Sequence, residues 1–405
     1  MNTNYRTSEK GQAIVYLVLG LVVFFGFVAL AIDGGMALAD RRNSQNGADS
    51  ASLAGGGAAA KVLEDAAPVC YKYWTCDDAG PAMSYAESIA ISRAGANNFG
   101  IDYDLSDHNG VSTSCNNTGK FIDVTVEISA TTPSNFLQIV YPDALHNEVD
   151  AVTRVFPRQP IGLDDAIIGL NPAACIGGNG VTVNGTSETI VNGGNVFSNG
   201  CIQGNGNAGE INVDGGGIFG HYISEGNITW DPAPQPSDRL IQPSDYYIDP
   251  PTCTTWFNNL PNGTLNGLYC MTGNLSIQKD VTGYGVTFYV PNGHIINNGN
   301  AVINLYAPST DPTDPGYPPN PPAITGILFF VPNGNAVTID GTSDDVYSGM
   351  IYAPKSDVKL TGTADNIFFG QVIGWNVKVG GNNTMTVNYN DCSGYTRAPS
   401  IELGK

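Results

Sequence analysis

The chain has 405 residues, and its 50 glycines and 13% charged residues are typical of a turn-rich β protein rather than a helical enzyme. This length fits two or three domains. The formal net charge is −20, and from residue 161 onward seven basic residues stand against twenty acidic ones. A surface of this sign repels phosphate backbones, so nucleic acid is excluded as an expected partner.

A long uncharged segment, Ala13 to Ile32, opens the chain after a short polar start. Its twenty residues would cover about 30 Å as a helix, which is the thickness of a bilayer's hydrocarbon core. Residues 13–32 are therefore predicted to anchor the chain in the cytoplasmic membrane as a single pass. The competing interpretation is a cleaved signal peptide with Ala37-Leu38-Ala39 as its A-x-A site. The apolar run exceeds the 7 to 15 residues usual for such a signal, which favours the anchor.

Cysteine usage indicates on which side of the membrane the rest of the chain lies. No C-x-x-C pair occurs, which argues against a zinc ribbon or a thioredoxin-like motif. An even number of scattered cysteines after the apolar segment fits disulfides in an oxidising compartment, so the bulk of the chain is expected to be extracytoplasmic. Buried free thiols are the alternative. Local pairs would be Cys175 with Cys201 and Cys253 with Cys270, but spacing alone leaves connectivity open. The eight cysteines are Cys70, Cys76, Cys115, Cys175, Cys201, Cys253, Cys270 and Cys392.

Small residues recur every four positions after the apolar segment, at Gly47, Ala51, Gly55 and Ala59. This spacing places them on one helical face. Two interpretations follow: the face lets a second helix approach closely, or the segment is an Ala-rich stalk without a partner.

The first fifty residues resemble the N-terminal domain of TadG-like proteins of Tad (Flp) pilus assembly. The resemblance rests on E-K-G-Q-A (Glu9 to Ala13), Ala31-Ile32-Asp33, Arg41-Arg42 with Gln45-Asn46, and the segment from Ala48-Asp49 to Leu53-Ala54. It implies a single-pass inner-membrane protein of a bacterial pilus or surface-attachment apparatus, with other pilus-assembly or envelope proteins as partners.

One position departs from processed pilin subunits, which carry a glutamate five residues after the processing glycine. Counted from Gly11, that position is Tyr16. The departure argues against peptidase processing and against polymerisation as a major pilin. A minor subunit within the filament is a weaker hypothesis.

Residues 66–160 are predicted to form a small α/β segment. The span from Pro81 to Phe99 has helical periodicity, and Phe121 to Ile128 alternates between apolar and polar residues as a half-buried strand does. A second strand is expected at Val149 to Val155. A short helix is expected to begin at Pro133. One helix on a small sheet resembles pilin-like modules in make-up.

Residues 161–395 consist of short apolar stretches separated by Asn-Gly and Gly-Gly turns, which indicate an all-β solenoid, right-handed β-helix-like, or a sandwich. Two echoes favour the solenoid: the sequence at Gly285 returns at Gly326, and that at Leu305 returns at Ile351. Two Pro-rich stretches, from Asp231 to Pro251 and from Ala307 to Pro322, are predicted to leave the stack as loops. Residues 396–405 are predicted to be a tail. The ending weakly resembles β-helical ectodomains of pilus-associated membrane proteins.

The chain is thus predicted to be multidomain, with a transmembrane helix and helical stalk (1–65), the α/β segment (66–160), the solenoid (161–395) and the tail. No catalytic, cofactor-binding or metal-binding residue is expected. The acidic turn with Asp340, Asp344 and Asp345 is the strongest enzymatic candidate, because β-helix hydrolases use several aspartates on one exposed strip. A solvated turn is the interpretation we favour.

Other motifs carry weaker signals. The acids at Asp102, Asp104 and Asp107 do not have EF-hand spacing, the four histidines are isolated, and G-x-G-x-x-G at Gly204 to Gly209 leads into a strand instead of a helix. The expected function is a membrane-anchored structural or interaction protein of a Tad-type apparatus, not an enzyme. An extracellular glycan or surface is a further expected partner. The alternative is an envelope-tethered β-helix enzyme acting on polysaccharide.

Overall fold

The structure is a computed structural model that describes residues 12–66, 70–105, 107–136, 144–162, 164–177, 179–297, 301–334, 336–341, 345–362, 366–390, 392 and 394–404. The chain divides into two compact units. Unit 1 comprises Met1–Val69, Trp74–Arg158 and Ala398–Lys405, and unit 2 comprises Cys70–Tyr73 and Gln159–Arg397.

Unit 1 combines two helices with one antiparallel sheet. Its elements are α1 (Gln12–Asp65), a 3₁₀ helix (Cys76–Asp78), α2 (Gly80–Ala96), β1 (Gly110–Asn116), β2 (Phe121–Thr132), β3 (Leu145–Phe156) and β29 (Ser400–Leu403). The strand order is β1-β2-β3-β29. The segment expected as a tail therefore supplies an edge strand that pairs with β3.

Sequence periodicity explains the elements of unit 1. α2 has a proline in its first turn, where the missing N–H is tolerated. Its four buried alanines, Ala82, Ala86, Ala90 and Ala94, lie four residues apart and so share one face. The predicted helix and the two predicted strands are confirmed, but β1 was not predicted. Pro133 to Phe136 are not helical, and residues 137–143 of that expected helix lie outside the described residues.

Unit 2 contains a sheet of 23 described strands, β5 to β27, connected through three series of parallel pairings that we call ladders one, two and three. A strand typically pairs with the third strand after it, as β19 does with β22 and β20 with β23. Antiparallel β4 (Gln159–Pro160) and β28 (Thr396–Arg397) form a separate pair.

Ladder one contains, in spatial order, β12 (Gln235–Pro236), β10 (Ile218–Ser224), β8 (Asn195–Asn205), β5 (Asp165–Gly169), β25 (Val372–Gly374), β22 (Met350–Ala353), β19 (Ile327–Phe330), β16 (Val281–Tyr289), β14 (Leu265–Met271) and β13 (Trp256–Phe257). Ladder two contains the second halves of β10 and β8, then β6 (Val181–Gly185), β26 (Val377–Gly381), β23 (Asp357–Gly362), β20 (Ala336–Gly341), β17 (Ile295–Asn297) and β15 (Leu275–Ile277). Ladder three contains β11 (Asn227–Asp231), β9 (Asn207–Asp214), β7 (Glu188–Asn192), β27 (Met385–Asn388), β24 (Asn366–Phe369), β21 (Val346–Ser348), β18 (Ile303–Tyr306) and the first half of β16.

The spatial order of these strands is not their order in the chain. β5, the first strand of the ladders in sequence, pairs with β25 near the C-terminus, and β6 and β7 pair likewise with β26 and β27. Strands β5–β11 therefore continue the stack that β14–β27 begin. Residues 232–264, which we call the return segment, connect the two groups.

The main core of unit 2 takes apolar residues from all three ladders. Phe288 and Phe329 stack in it with ring centroids 5.6 Å apart, in the register that the echo of 41 residues between Gly285 and Gly326 predicted. The second echo was misleading, because Leu305 lies in ladder three and Ile351 in ladder one.

The first Pro-rich stretch does not leave the stack as predicted. Ile241, Tyr246 and Ile248 of the return segment are buried and pack in a second apolar cluster with Phe330 and Tyr352 of ladder one. The apolar outer side of ladder one needs a cover, and the return segment supplies it. The second stretch, by contrast, is mostly exposed from Asp311 to Pro322.

Candidate functional site: the N-terminal helix and its packing

Within the described part of the chain, residues 14–27 of α1 form an uninterrupted run whose apolar side chains are not covered. Every residue from Ile14 to Phe27 is exposed, and the segment is long and apolar enough to cross a membrane. Exposed apolar surface of this extent marks an interaction site for lipid or protein. Residues 13–32 therefore fit the predicted anchor.

The second half of α1 is instead buried within unit 1. Ala48, Ala51, Ser52 and Ala59 have no exposed surface, and α1 packs on α2, β2 and β3. The small residues allow this approach: a Cβ added at Gly55 would lie 2.9 Å from the carbonyl oxygen of Ala86. The interpretation that a second helix approaches this face closely is confirmed at Gly55, where the helix is α2 of the same unit. The sheet strands β2 and β3 also cover α1, so the segment is not a stalk without a partner.

The two halves of α1 meet at Asp33, whose side chain is buried. One carboxylate oxygen accepts the backbone N–H of Asn135 at 3.0 Å and the other accepts that of Phe136 at 2.9 Å. Asn147 donates its side-chain amide to the carbonyl of Ala37 at 3.3 Å. The connection after β2 is thus fastened to α1 where the apolar segment ends. α1 also continues as one helix through the two glycines that follow Asp33.

The eight cysteines form four disulfides, one in unit 1 and three in unit 2. Cys175–Cys201 and Cys253–Cys270 confirm the two local pairs proposed from spacing. Cys76–Cys115 lies within unit 1 and Cys70–Cys392 within unit 2. The Cys70–Cys392 pair, separated by 322 residues, could not be recognised from sequence spacing.

The acidic turn is not assembled as a catalytic strip in the described residues. Asp340 pairs with Lys359, Nζ to Oδ1 being 3.4 Å, and accepts a hydrogen bond from the hydroxyl of Thr361. Asp345 is buried and accepts the backbone N–H of Ile303 at 2.9 Å. Asp344 lies outside the described residues. Both described carboxylates thus have structural partners.

The remaining sequence candidates do not converge either. Nδ1 of His108 lies 2.9 Å from a carboxylate oxygen of Glu127. Among the residues that the structure describes, no group of three or more His, Cys, Asp or Glu could hold a metal ion. The glycine run from Gly204 to Gly209 lies in and between β8 and β9, with no helix after it.

An ion pair between a buried carboxylate and a half-exposed guanidinium, which the sequence did not predict, ties the return segment to ladder one. The carboxylate of Asp165 is fully buried, and Nη1 of Arg239 lies 2.8 Å from its Oδ2. Asn195 donates to Oδ1 at 3.2 Å, and the Arg239 guanidinium lies 4.6 Å from the ring centroid of Phe197. Burial raises the pKa of Asp165 to about 6, and the Arg239 charge opposes that rise. We call these residues the Asp165 clasp.

A second contact fastens the same segment a few residues further on. The side chain of Asn199, in β8, donates to the carbonyl of Ile241 at 2.6 Å and accepts its N–H at 2.8 Å. This side chain is buried and also donates to the carbonyl of Leu170 at 3.0 Å. A buried amide with its polar groups paired fixes the chain path on both sides of it.

Two family models match the chain. Residues 11–60 match the family described as "Putative Flp pilus-assembly TadE/G-like", and residues 271–392 match a domain of unknown function, DUF7305. No curated protein and no solved structure matches. The first match covers most of α1, and the second covers most of the strands from β15 to β27.

Proposed function

Because residues 11–60 form a TadE/G-like domain of Flp pilus assembly, we propose that this protein is a membrane-anchored structural component of a Tad-type pilus or surface-attachment apparatus. Residues 13–32 cross the cytoplasmic membrane once, and the bulk of the chain is extracytoplasmic. Its work is assembly, anchoring or adhesion through other pilus or envelope proteins, with an extracellular glycan or surface as a further partner.

The observation that carries the proposal is the change of environment along α1. Its first half is apolar and exposed from Ile14 to Phe27, whereas its second half is covered by α2 and an antiparallel sheet. A soluble helix buries its apolar stripe, yet α1 leaves its most apolar part uncovered. A membrane-spanning segment continuous with a packed ectodomain helix accounts for both halves.

Disulfides support the proposed sidedness. Every cysteine in the chain is paired, in four bridges, and disulfides persist in the periplasm or outside the cell but not in the cytosol. The first of them begins five residues after α1 ends.

Unit 2, on this proposal, is a β-solenoid displayed outside the membrane. Pairing of each strand with the third strand after it supports three strands per coil, and the three ladders are then three faces of one stack. Parallel strands buried on the inner face need the continuous Val, Ile and Phe content that they have here. Such stacks present long regular faces, which suit a structural or adhesive role.

The enzymatic alternative is an envelope-tethered β-helix acting on polysaccharide. It would need exposed carboxylates facing each other across a groove. Asp340 and Asp345 have the structural partners described above, which favours the non-enzymatic role. Assays of the full chain on envelope polysaccharides, with Asp340→Asn as the comparison, address this alternative directly. Cleavage that this variant loses would establish the enzyme.

The anchor is tested by alkaline extraction of membranes and by the mass of the mature chain. We expect the intact chain in the membrane pellet, with protease digesting residues after 65 only from the extracytoplasmic side. A mature start at Asp40 and release into the supernatant would refute the anchor. A start at Gln12 would make the chain a processed, pilin-like subunit.

A further inference from the structure

We propose that Phe136, which follows β2, makes a second membrane contact by inserting among lipid chains beside α1. The proposal rests on the proposed membrane anchor and goes beyond it, because it assigns a lipid-binding surface to the ectodomain. The occupant is the bilayer itself, since the surface is continuous with the apolar segment of α1.

The position of Phe136 is fixed by Asp33. Its backbone N–H and that of Asn135 both bond to the Asp33 carboxylate, so Phe136 lies level with the end of the apolar segment 13–32. Asn135 also donates to the sulfur of Met36 at 3.3 Å. In a bilayer every backbone N–H needs a partner within the protein, and Asp33 supplies two partners at the depth where water is lost.

The exposure of α1 changes about one turn before Asp33. Residues 14–27 are all exposed, but Val28 and Ala29 are partly covered. Ala29 lies four residues before Asp33, on the same side of the helix and about 5.4 Å nearer its N-terminus. The uninterrupted exposed run of α1 therefore ends just before the level at which Asp33 holds Phe136.

The composition and exposure at Phe136 fit lipid. Its side chain is 45% exposed, and residues Pro133 to Phe136 contain no charged residue. Aromatic side chains are favoured near membrane interfaces. The proposal concerns Phe136; residues 137–143 lie outside the described part of the chain.

The test places a tryptophan reporter at three positions of the full chain in bilayers that contain brominated lipid, which quenches tryptophan on contact. Phe136→Trp is the test, Phe24→Trp reports the anchor, and Tyr85→Trp on α2 is the control. Tyr85 is 48% exposed, close to the value for Phe136. It neighbours Ala86, which packs at Gly55, 22 residues or about 33 Å along α1 from Asp33. The four native tryptophans give the background to subtract.

We expect quenching above background for Phe136→Trp and Phe24→Trp but not for Tyr85→Trp. If Phe24→Trp is quenched and Phe136→Trp behaves like Tyr85→Trp, the lipid contact is wrong while the anchor stands. If none of the three is quenched, the anchor itself fails and the contact fails with it.

The positioning role of Asp33 has its own test. Asp33→Ala added to Phe136→Trp removes both acceptors, and we expect at least a halving of the quenching of the reporter at position 136. The same change added to Phe24→Trp should leave that signal unaltered, which shows that insertion of α1 is intact. Unchanged quenching at position 136 would overturn the positioning role.

Discussion

Adding one methyl group at either of two nearby glycines of α1, Gly55 or Gly57, should have opposite effects on the stability of unit 1. A Cβ at Gly55 would lie 2.9 Å from the Ala86 carbonyl oxygen and 3.2 Å from the Ala90 side chain, whereas a Cβ at Gly57 would meet nothing within 4 Å. Both glycines lie inside the same helix. Gly57→Ala is therefore a matched control for Gly55→Ala.

Two opposing effects set the magnitudes. Replacing a glycine inside a helix by alanine stabilises the helix by about 0.5–1 kcal/mol. At Gly55 the methyl must displace the backbone of α2, and overpacking of this kind costs about 1–3 kcal/mol. We therefore expect Gly57→Ala to stabilise unit 1 by ~0.5–1 kcal/mol and Gly55→Ala to destabilise it by ~1–2 kcal/mol.

Hydrogen exchange of the backbone amides of α2 is the appropriate assay, because it reports the opening free energy of unit 1 without requiring the whole chain to unfold in two states. Faster exchange in Gly55→Ala and slower or equal exchange in Gly57→Ala are expected. Equal effects of the two substitutions would refute the close packing of α1 on α2, and a stabilised Gly55→Ala would point to a stalk that does not touch α2.

Three further predictions concern unit 2 and the disulfides. Arg239→Gln leaves the buried Asp165 without its half-exposed cation and should destabilise unit 2 by ~1–3 kcal/mol at pH 8, with a smaller loss at pH 5, measured by urea unfolding. Asn199→Ala removes both hydrogen bonds to the main chain of Ile241 and should cost ~1–3 kcal/mol, seen as faster protease cleavage within residues 232–264. Alkylation of the denatured, unreduced protein should label no thiol, and reduction should expose eight, counted by intact mass.

The pH dependence of the Arg239→Gln effect has a definite sign. The pKa of Asp165 is raised to about 6 by burial, above about 3.9 in an unfolded chain. The folded state therefore binds the proton more tightly, and the stability that this provides is lost as pH rises from about 4 through 6. Removing the Arg239 cation raises the folded-state pKa of Asp165 further, so the loss of stability in the variant is largest above about pH 6. A loss that is equal at pH 5 and pH 8 would contradict the ion pair.

Exposed residues serve as controls for these variants. Lys279→Gln changes one positive charge that contacts only Asn262 among the described polar partners, and should leave unfolding within ~0.5 kcal/mol of the parent. Asn258→Ala, at an exposed hydrogen bond to Thr272, should not accelerate cleavage of the return segment as strongly as Asn199→Ala does. Labelled thiols in the unreduced chain would contradict the disulfides.

Several features could be predicted from sequence because the signals are local. The length of the uncharged segment 13–32 indicated a membrane anchor. Small apolar residues at every fourth position indicated α2, and the alternation of apolar and polar residues indicated β2 and β3. The family of the first residues was also recognisable, because the order of charged, small and apolar residues around Asp33 is itself the signal. β1 was missed because its polar sequence, Gly110 to Asn116, has no clear alternation.

Tertiary structure alone decided which surfaces meet. The small-residue face of α1 is equally compatible with a second helix or with solvent, until Ala86 and Thr153 are found against Gly55 and Gly56. The hydrogen bonds of parallel pairing are made by the backbone, so any strand with apolar residues on its inward side can pair with any other. The order of strands along the chain therefore could not reveal that β5 pairs with β25. The pairing of β5 with β25 depends on the path of the return segment, which the Asp165 clasp and Asn199 fix.

The sequence by itself thus predicted an apolar segment long enough to cross a membrane, two of the disulfides and many short strands, since each depends on composition, on spacing or on a period within a few residues. The order of the stack, the hydrogen bonds of Asp33 to Asn135 and Phe136, and the ion pair of the buried Asp165 with Arg239 depend on residues distant in the chain. A polar side chain looks the same in sequence whether water or a buried main-chain group is its partner. Only the fold decides which polar side chains are removed from water and therefore need a partner within the protein.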